Sequence, residues 1–207
     1  MKNILAVLTL LGLSIACEDT AQISSANASS GDCCLESVSP ENVTEAEIES
    51  LLFMVEEEKL ARDVYLTLYS VWGISSFYTI SASEQQHMDA VQNLLKEYQQ
   101  EVPETLESMG EFTNVELQQL FDDLTALGNQ STIDALLVGA LIEEVDIIDL
   151  DEIRATVVHE APIDQVYAQL RSGSENHLRA FVKNLVNQGV TYEPQFLDEA
   201  VYLAIVN

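Results

Sequence analysis

From Asn42 onward, apolar residues recur three and four positions apart rather than two. That is the period of a helix with one buried face. Thr44, with Glu47 three residues later, forms a capping box ahead of the first apolar run. A helix is expected from there to about Val71, with Gly73 just beyond. A second is expected over about Phe77 to Tyr98, before Pro103, and a shorter one over Val115 to Leu127, closed by Gly128-Asn129. Ser131 opens another that reaches about Val157. Pro162 suits the first turn of a helix running to about Asn187, with Gly189 after it, and a last short helix follows Pro194. No strand and no internal repeat stands out. The expected fold is all-α: an antiparallel four-helix bundle with additional short helices, over residues 43–207.

The segment before Asn42 has a different pattern. Lys2 is followed by an apolar run from Ile4 to Leu13, then Ser14-Ile15-Ala16-Cys17. This describes an export signal, and it is well short of the roughly 20 residues that span a bilayer. The Cys after Ala16 resembles the lipobox of bacterial lipoproteins, with Ser14 where a large aliphatic residue is usual. The resemblance implies a signal peptide over 1–16, lipidation of Cys17 and a lipid-anchored place in the bacterial cell envelope. The bland alternative is an ordinary secretory signal with a chance cysteine. Residues 17–42, rich in Ser, Ala, Asn and acids, read as a flexible tether. Cys33-Cys34 lies within it, and the absence of any CxxC pair excludes a zinc ribbon.

Composition narrows the partners. The chain carries 8 Lys+Arg against 35 Asp+Glu, a net charge of −27, so a phosphate backbone would be repelled and nucleic acid is an unsuitable partner. With 47% apolar residues the chain has the means to build a core, and only 8 Gly and 4 Pro argue against a turn-rich β fold.

Candidate chemistry comes from polar residues centred on apolar faces. At 100° per residue, Leu51, Met54, Val55, Ala61, Tyr65 and Tyr69 share a face of the first helix, with Glu58 in its middle and Arg62 one turn on. Glu84 and His87 lie on the apolar face of the second helix, Glu144 on that of the fourth, and His177 with Ser174 on that of the fifth. Each has a plain reading: Glu58 paired with Arg62, a core histidine, or a rotated helix that exposes Glu144. Together they set three carboxylates and two imidazoles on four long helices. Unless protonated, such a group calls for a cation, and the O and N donors suit iron, manganese or zinc.

These residues resemble the ferritin-like superfamily. Glu58-Lys59-Leu60-Ala61-Arg62-Asp63-Val64-Tyr65 is similar to the first helix of rubrerythrins, and Glu84-Gln85-Gln86-His87 to their ExxH. The closer resemblance is to the domain of unknown function 2202. It rests on Glu56-Glu57-Glu58-Lys59-Leu60-Ala61-Arg62-Asp63-Val64-Tyr65 and Ala82-Ser83-Glu84-Gln85-Gln86-His87-Met88, with Glu143-Glu144-Val145-Asp146-Ile147 and Asn176-His177-Leu178-Arg179-Ala180-Phe181. The resemblance implies an interior metal pair. Glu58 and Glu144 would be single carboxylates, Glu84 the bridge, and His87 and His177 the nitrogen ligands. Arg62, Tyr65 and Ser174 would sit behind them. Ser174 stands where a second bridging Glu is usual, which leaves one or two ions open. The expected protein is a lipid-anchored iron binder that could oxidise Fe(II) with oxygen or peroxide, as a ferroxidase or peroxide-reducing oxidoreductase. The alternative is a non-catalytic envelope module on a degenerate scaffold. Homo-oligomer formation is left open.

Overall fold

A computed structural model describes residues 42–207; the signal segment, Cys17, the tether and Cys33-Cys34 lie outside the described residues. Six α-helices follow in order: α1 (Glu45–Trp72), α2 (Ser75–Glu97), α3 (Val115–Gly128), α4 (Thr132–Thr156), α5 (Ala161–Asn187) and α6 (Glu199–Val206). A 3-10 turn at Glu104–Glu107 precedes α3. Among the described residues no strand occurs, and no helix is long and apolar enough to cross a membrane.

The helix ends follow their local chemistry. Thr44 Oγ1 accepts the Glu47 N–H at 3.2 Å, and Glu47 Oε2 accepts the Thr44 N–H at 2.9 Å. Gly73, at φ 64°, ends α1 in the left-handed region and donates its N–H to Tyr69 O. With only Gly73-Ile74 between them, α1 and α2 fold back as an antiparallel hairpin. Asn114, Ser131 and Asp198 cap α3, α4 and α6 through their side chains. The start of α5 has no such cap, but Glu47 Oε1 accepts the N–H groups of His159 and Glu160 at 2.7 and 2.8 Å. One buried carboxylate thus closes the start of α1 and the α4–α5 turn.

The hairpin of α1 and α2 packs against the pair α4 and α5, joined through α2–α5 and α1–α4 contacts, while α3 lies over α1 and α4. The connection from α2 to α3 is strapped to α1 by charged side chains. Glu56 accepts from Thr113 N, Asn114 N and Thr105 Oγ1, and Asp63 accepts from Gly110 N at 2.8 Å. Lys59 pairs with Asp63 at 2.5 Å and stands 4.1 Å over the Phe112 ring. These partners are what allow Glu56, Lys59 and Asp63 to be buried.

The core has two apolar halves. One gathers Tyr65, Leu68, Phe77, Leu136, Ile147 and Phe181; the other gathers Leu51, Met54, Val91, Leu95, Leu150 and Tyr167. Along α1, α2 and α5 the halves are separated by a short interval that carries Glu58, Glu84 with His87, and Ser174 with His177. The candidate residues therefore occupy a polar waist at mid-bundle.

Candidate metal centre

Glu84 sits between two histidines. Its Oε2 lies 2.8 Å from His87 Nδ1, and its Oε1 lies 2.8 Å from His177 Nδ1. Glu58 Oε2 joins the first histidine at 3.2 Å, and Glu143 Oε2 approaches the second at 3.5 Å. Two groups result, Glu58–Glu84–His87 and Glu84–Glu143–His177, each with donor atoms close enough to share one ion. The imidazoles stack 5.5 Å apart, so the two positions are adjacent and Glu84 is common to both.

All three carboxylates are at most 1% exposed. Both Glu84 oxygens, Glu58 Oε1, Glu143 Oε2 and His177 Nδ1 lack an aligned hydrogen bond despite these short approaches. Buried polar atoms are rarely left so. Lone pairs that converge on common points without aligning on each other's protons suit a shared cation, and the residues present fit one.

The electrostatics show the same tension. Burial raises Glu58 and Glu143 to about 7, with the neighbouring Glu84 adding to it and the histidines opposing it. For Glu84 burial alone would raise the pKa, but His177 and His87 on either side bring it down to about 2. Burial works against protonation of the histidines, yet the carboxylates beside them push His87 up to about 10 and His177 to about 11. A divalent ion would take over the charge balance that imidazole protons otherwise supply.

Behind this set lies more buried acid. Asp146 is raised by burial first, then by Glu57, Glu143, Glu58 and Glu84. Glu57 is raised by burial, Asp149 and Glu58. This excess of interior negative charge favours cation entry. Tyr65 donates its hydroxyl to Glu143 Oε1 at 2.6 Å and packs on Phe77 and Phe181. Burial and then Glu143 push its pKa well up, so it stays a hydroxyl donor.

The family model described as an uncharacterized protein domain, DUF2202, matches residues 47–207. The chain belongs to the DUF2202 family. An uncharacterized protein of Methanocaldococcus jannaschii, MJ0754, is 44% identical over 173 residues, covering 84% of this chain and 93% of that protein. The crystal structure of hypothetical protein MJ0754 is similar with a TM-score of 0.77 at 45% identity, covering 79% of this chain and 93% of that one. Neither description states an activity.

Within this DUF2202 domain the structure brings together Glu58, Glu84, His87 and His177. It places Glu144 elsewhere: its carboxylate accepts the N–H groups of Gln195, Phe196 and Leu197 at 2.8–3.1 Å. Glu143 takes the position expected of Glu144. The signal for Glu143 was present, since it lies in one stripe with Leu136, Ala140, Ile147 and Leu150, all fully buried or nearly so. The stripe of Glu144 holds Leu137, Leu141 and Ile148, which are only partly buried.

Arg62 does not meet Glu58. It binds Asp63, Gln85 Oε1 and the Leu106 carbonyl, on the strap side of α1. Tyr69 is 37% exposed and packs at a tilt against Tyr78 rather than joining the metal-site group. Ser174 is buried and turns its hydroxyl back to the Leu170 carbonyl, so α5 offers no second carboxylate.

Proposed function

We propose that this DUF2202 domain is a metal-binding protein holding two ions at Glu58, Glu84, His87, Glu143 and His177, with Glu84 as the bridge. The supporting observation is the placement of Glu84, each of whose oxygens faces a different histidine Nδ1 at 2.8 Å without hydrogen-bond alignment. Three carboxylates with two imidazoles and no thiolate suit iron, with manganese or zinc as the nearest competitors. The arrangement supports kinship with ferritin-like carboxylate proteins, in which bundle helices aim Glu and His inward.

Each position has three protein donors, so each would keep coordination sites for water or a small oxidant. When bound, two ferrous ions would supply the two electrons that, with two protons, convert a peroxide to two waters. The chain's own part is to hold the ions adjacent, exclude bulk water with two apolar core halves, and keep a hydroxyl donor, Tyr65, on Glu143. The leader and Cys17 support placing the domain on an envelope membrane through a lipid.

The test is metal content after purification without chelator, for wild type and for Glu84→Ala with His87→Ala. Two equivalents in wild type and loss in the variant are expected; equal, near-zero content in both would sink the reading. Mixing the Fe(II) form with peroxide and following a ferric absorption band then separates turnover from passive sequestration. Absence of the band would favour a non-catalytic module, a role that Ser174 in place of a second bridging Glu also suits.

A further inference from the structure

Each histidine of the centre is supported from the helix that carries the other one. His177, on α5, places its Nε2 3.0 Å from Ser83 Oγ, on α2. His87, on α2, rests against Gly173, on α5: a Cβ at Gly173 would meet His87 Cε1 and Nε2 at 2.5 Å each, but Nδ1 only at 3.7 Å. The ring edge Cε1–Nε2 thus lies on the bare α5 backbone, and Nδ1 turns toward Glu58 and Glu84. The two supports stand in the same register. Ser83 precedes His87 by four residues and Gly173 precedes His177 by four, one helical turn in each case. Each helix therefore presents a histidine and, one turn earlier, a residue that fits its partner's histidine.

We propose that Ser83 and Gly173 are crossed positioning residues: Ser83 fixes His177, and Gly173 fixes His87, so that both imidazoles offer Nδ1 to the metal pair. This rests on the metal-binding reading above. The physical reason differs between the two. At Ser83 the hydroxyl oxygen would accept a hydrogen bond from the His177 Nε2–H, which keeps that proton on Nε2 and leaves the lone pair on Nδ1. At Gly173 the absence of a side chain lets the Cε1–Nε2 edge of the ring approach the backbone; any Cβ would push it off that place. Gly139 provides a structural comparison, because the nearest atoms a Cβ there would meet belong to the Phe181 ring, from 2.5 Å.

The test is anaerobic titration with Fe(II), counting equivalents and affinity. In wild type, Ser83→Ala and Gly173→Ala should each weaken one of the two equivalents by about 10–100-fold, whereas Gly139→Ala should lower thermal stability with both equivalents intact. The crossing shows in double variants. His87→Ala keeps one equivalent, the His177 position. Adding Gly173→Ala to it should change nothing further, and should restore the thermal stability that Gly173→Ala alone loses, since the ring is gone. Adding Ser83→Ala should weaken the equivalent that remains. The same logic runs in reverse on His177→Ala. If His87→Ala with Ser83→Ala binds as well as His87→Ala alone, or if Gly173→Ala weakens the His177 position, the crossed assignment is overturned while metal binding stands. If wild type takes up no Fe(II), the metal reading and this proposal fall together.

Discussion

Glu143 and Glu144 are adjacent on α4, and their carboxylates serve different structures: Glu143 faces His177 and Tyr65, while Glu144 holds three consecutive backbone N–H groups of residues 195–197. Their replacements should separate cleanly. Glu143→Gln should lower metal uptake with little change in folding. Glu144→Ala should leave the metal equivalents unchanged and cost about 2 kcal/mol, because three backbone donors, the Leu197 N–H buried among them, lose a charged acceptor. Metal analysis beside urea unfolding of both variants checks this; metal loss in Glu144→Ala would contradict the assignment.

Binding should also register in stability. An ion that binds only the folded chain contributes about 2.7 kcal/mol at a concentration of 100 times Kd. For a domain of this size that is a rise in Tm of roughly 5–10 °C. Scanning calorimetry with and without added Fe(II) under anaerobic conditions measures it. Glu84→Ala should abolish the shift.

Much of this was legible in the chain because the signals were local. The capping box at Thr44, Gly73, Ser131 and Pro162 fall where α1, α4 and α5 begin or α1 ends. Glu58, Glu84, His87 and His177 lie on helices with an amphipathic stripe, so their centring could be read. On α4 the stripe is blurred. Residues of the α5–α6 connection cover its outer side through Glu144, and Glu143, Glu144, Asp146 and Asp149 are all buried. With apolar residues spread round the helix, a face drawn through Ile133, Leu136, Leu137, Ala140, Ile147 and Ile148 centres on Glu144 and leaves the site residue, Glu143, on its flank. Arg62 stands one turn from Glu58, but its partners are Asp63, Gln85 on α2 and the Leu106 carbonyl of the 104–114 strap, and the last two are long-range features that no period announces.

The acid limb of stability should depend on Glu47. Burial would raise its pKa, but N–H donors at Thr44, His159 and Glu160 outweigh that and bring it below the ordinary value of 4.5. The folded chain thus binds this proton less tightly than the unfolded chain. Its contribution is complete above the ordinary range and is lost as pH falls through the lowered folded value. Glu47→Gln should therefore be less stable than wild type near pH 7 by about 2 kcal/mol, and the gap should shrink below pH ~4. Chemical denaturation across pH 3–7 would show it; a gap independent of pH would refute it.

The strap over α1 offers a separate test. Lys59 and Asp63 are both 0% exposed, and Asp63 also holds Arg62 and the Gly110 N–H. Removing one partner of such a pair strands the other. Asp63→Ala is expected to cost about 3–5 kcal/mol, and limited proteolysis should begin within residues 104–114. Replacing both Lys59 and Asp63 with Met and Leu should recover part of the loss.

The polar waist between the two apolar halves also sets alignment. Sliding α5 by one turn, about 5.4 Å, would in one direction carry His177 toward Phe77 and set Gly173 and Ser174 opposite Glu84, and in the other bring Phe181 against Glu84. Any such slip strands charge in oil on one side and leaves carboxylates facing each other on the other. The five inward polar residues therefore act as a key that permits one stagger of the helices, and the same key that would receive ions rejects the bundles that could not hold them.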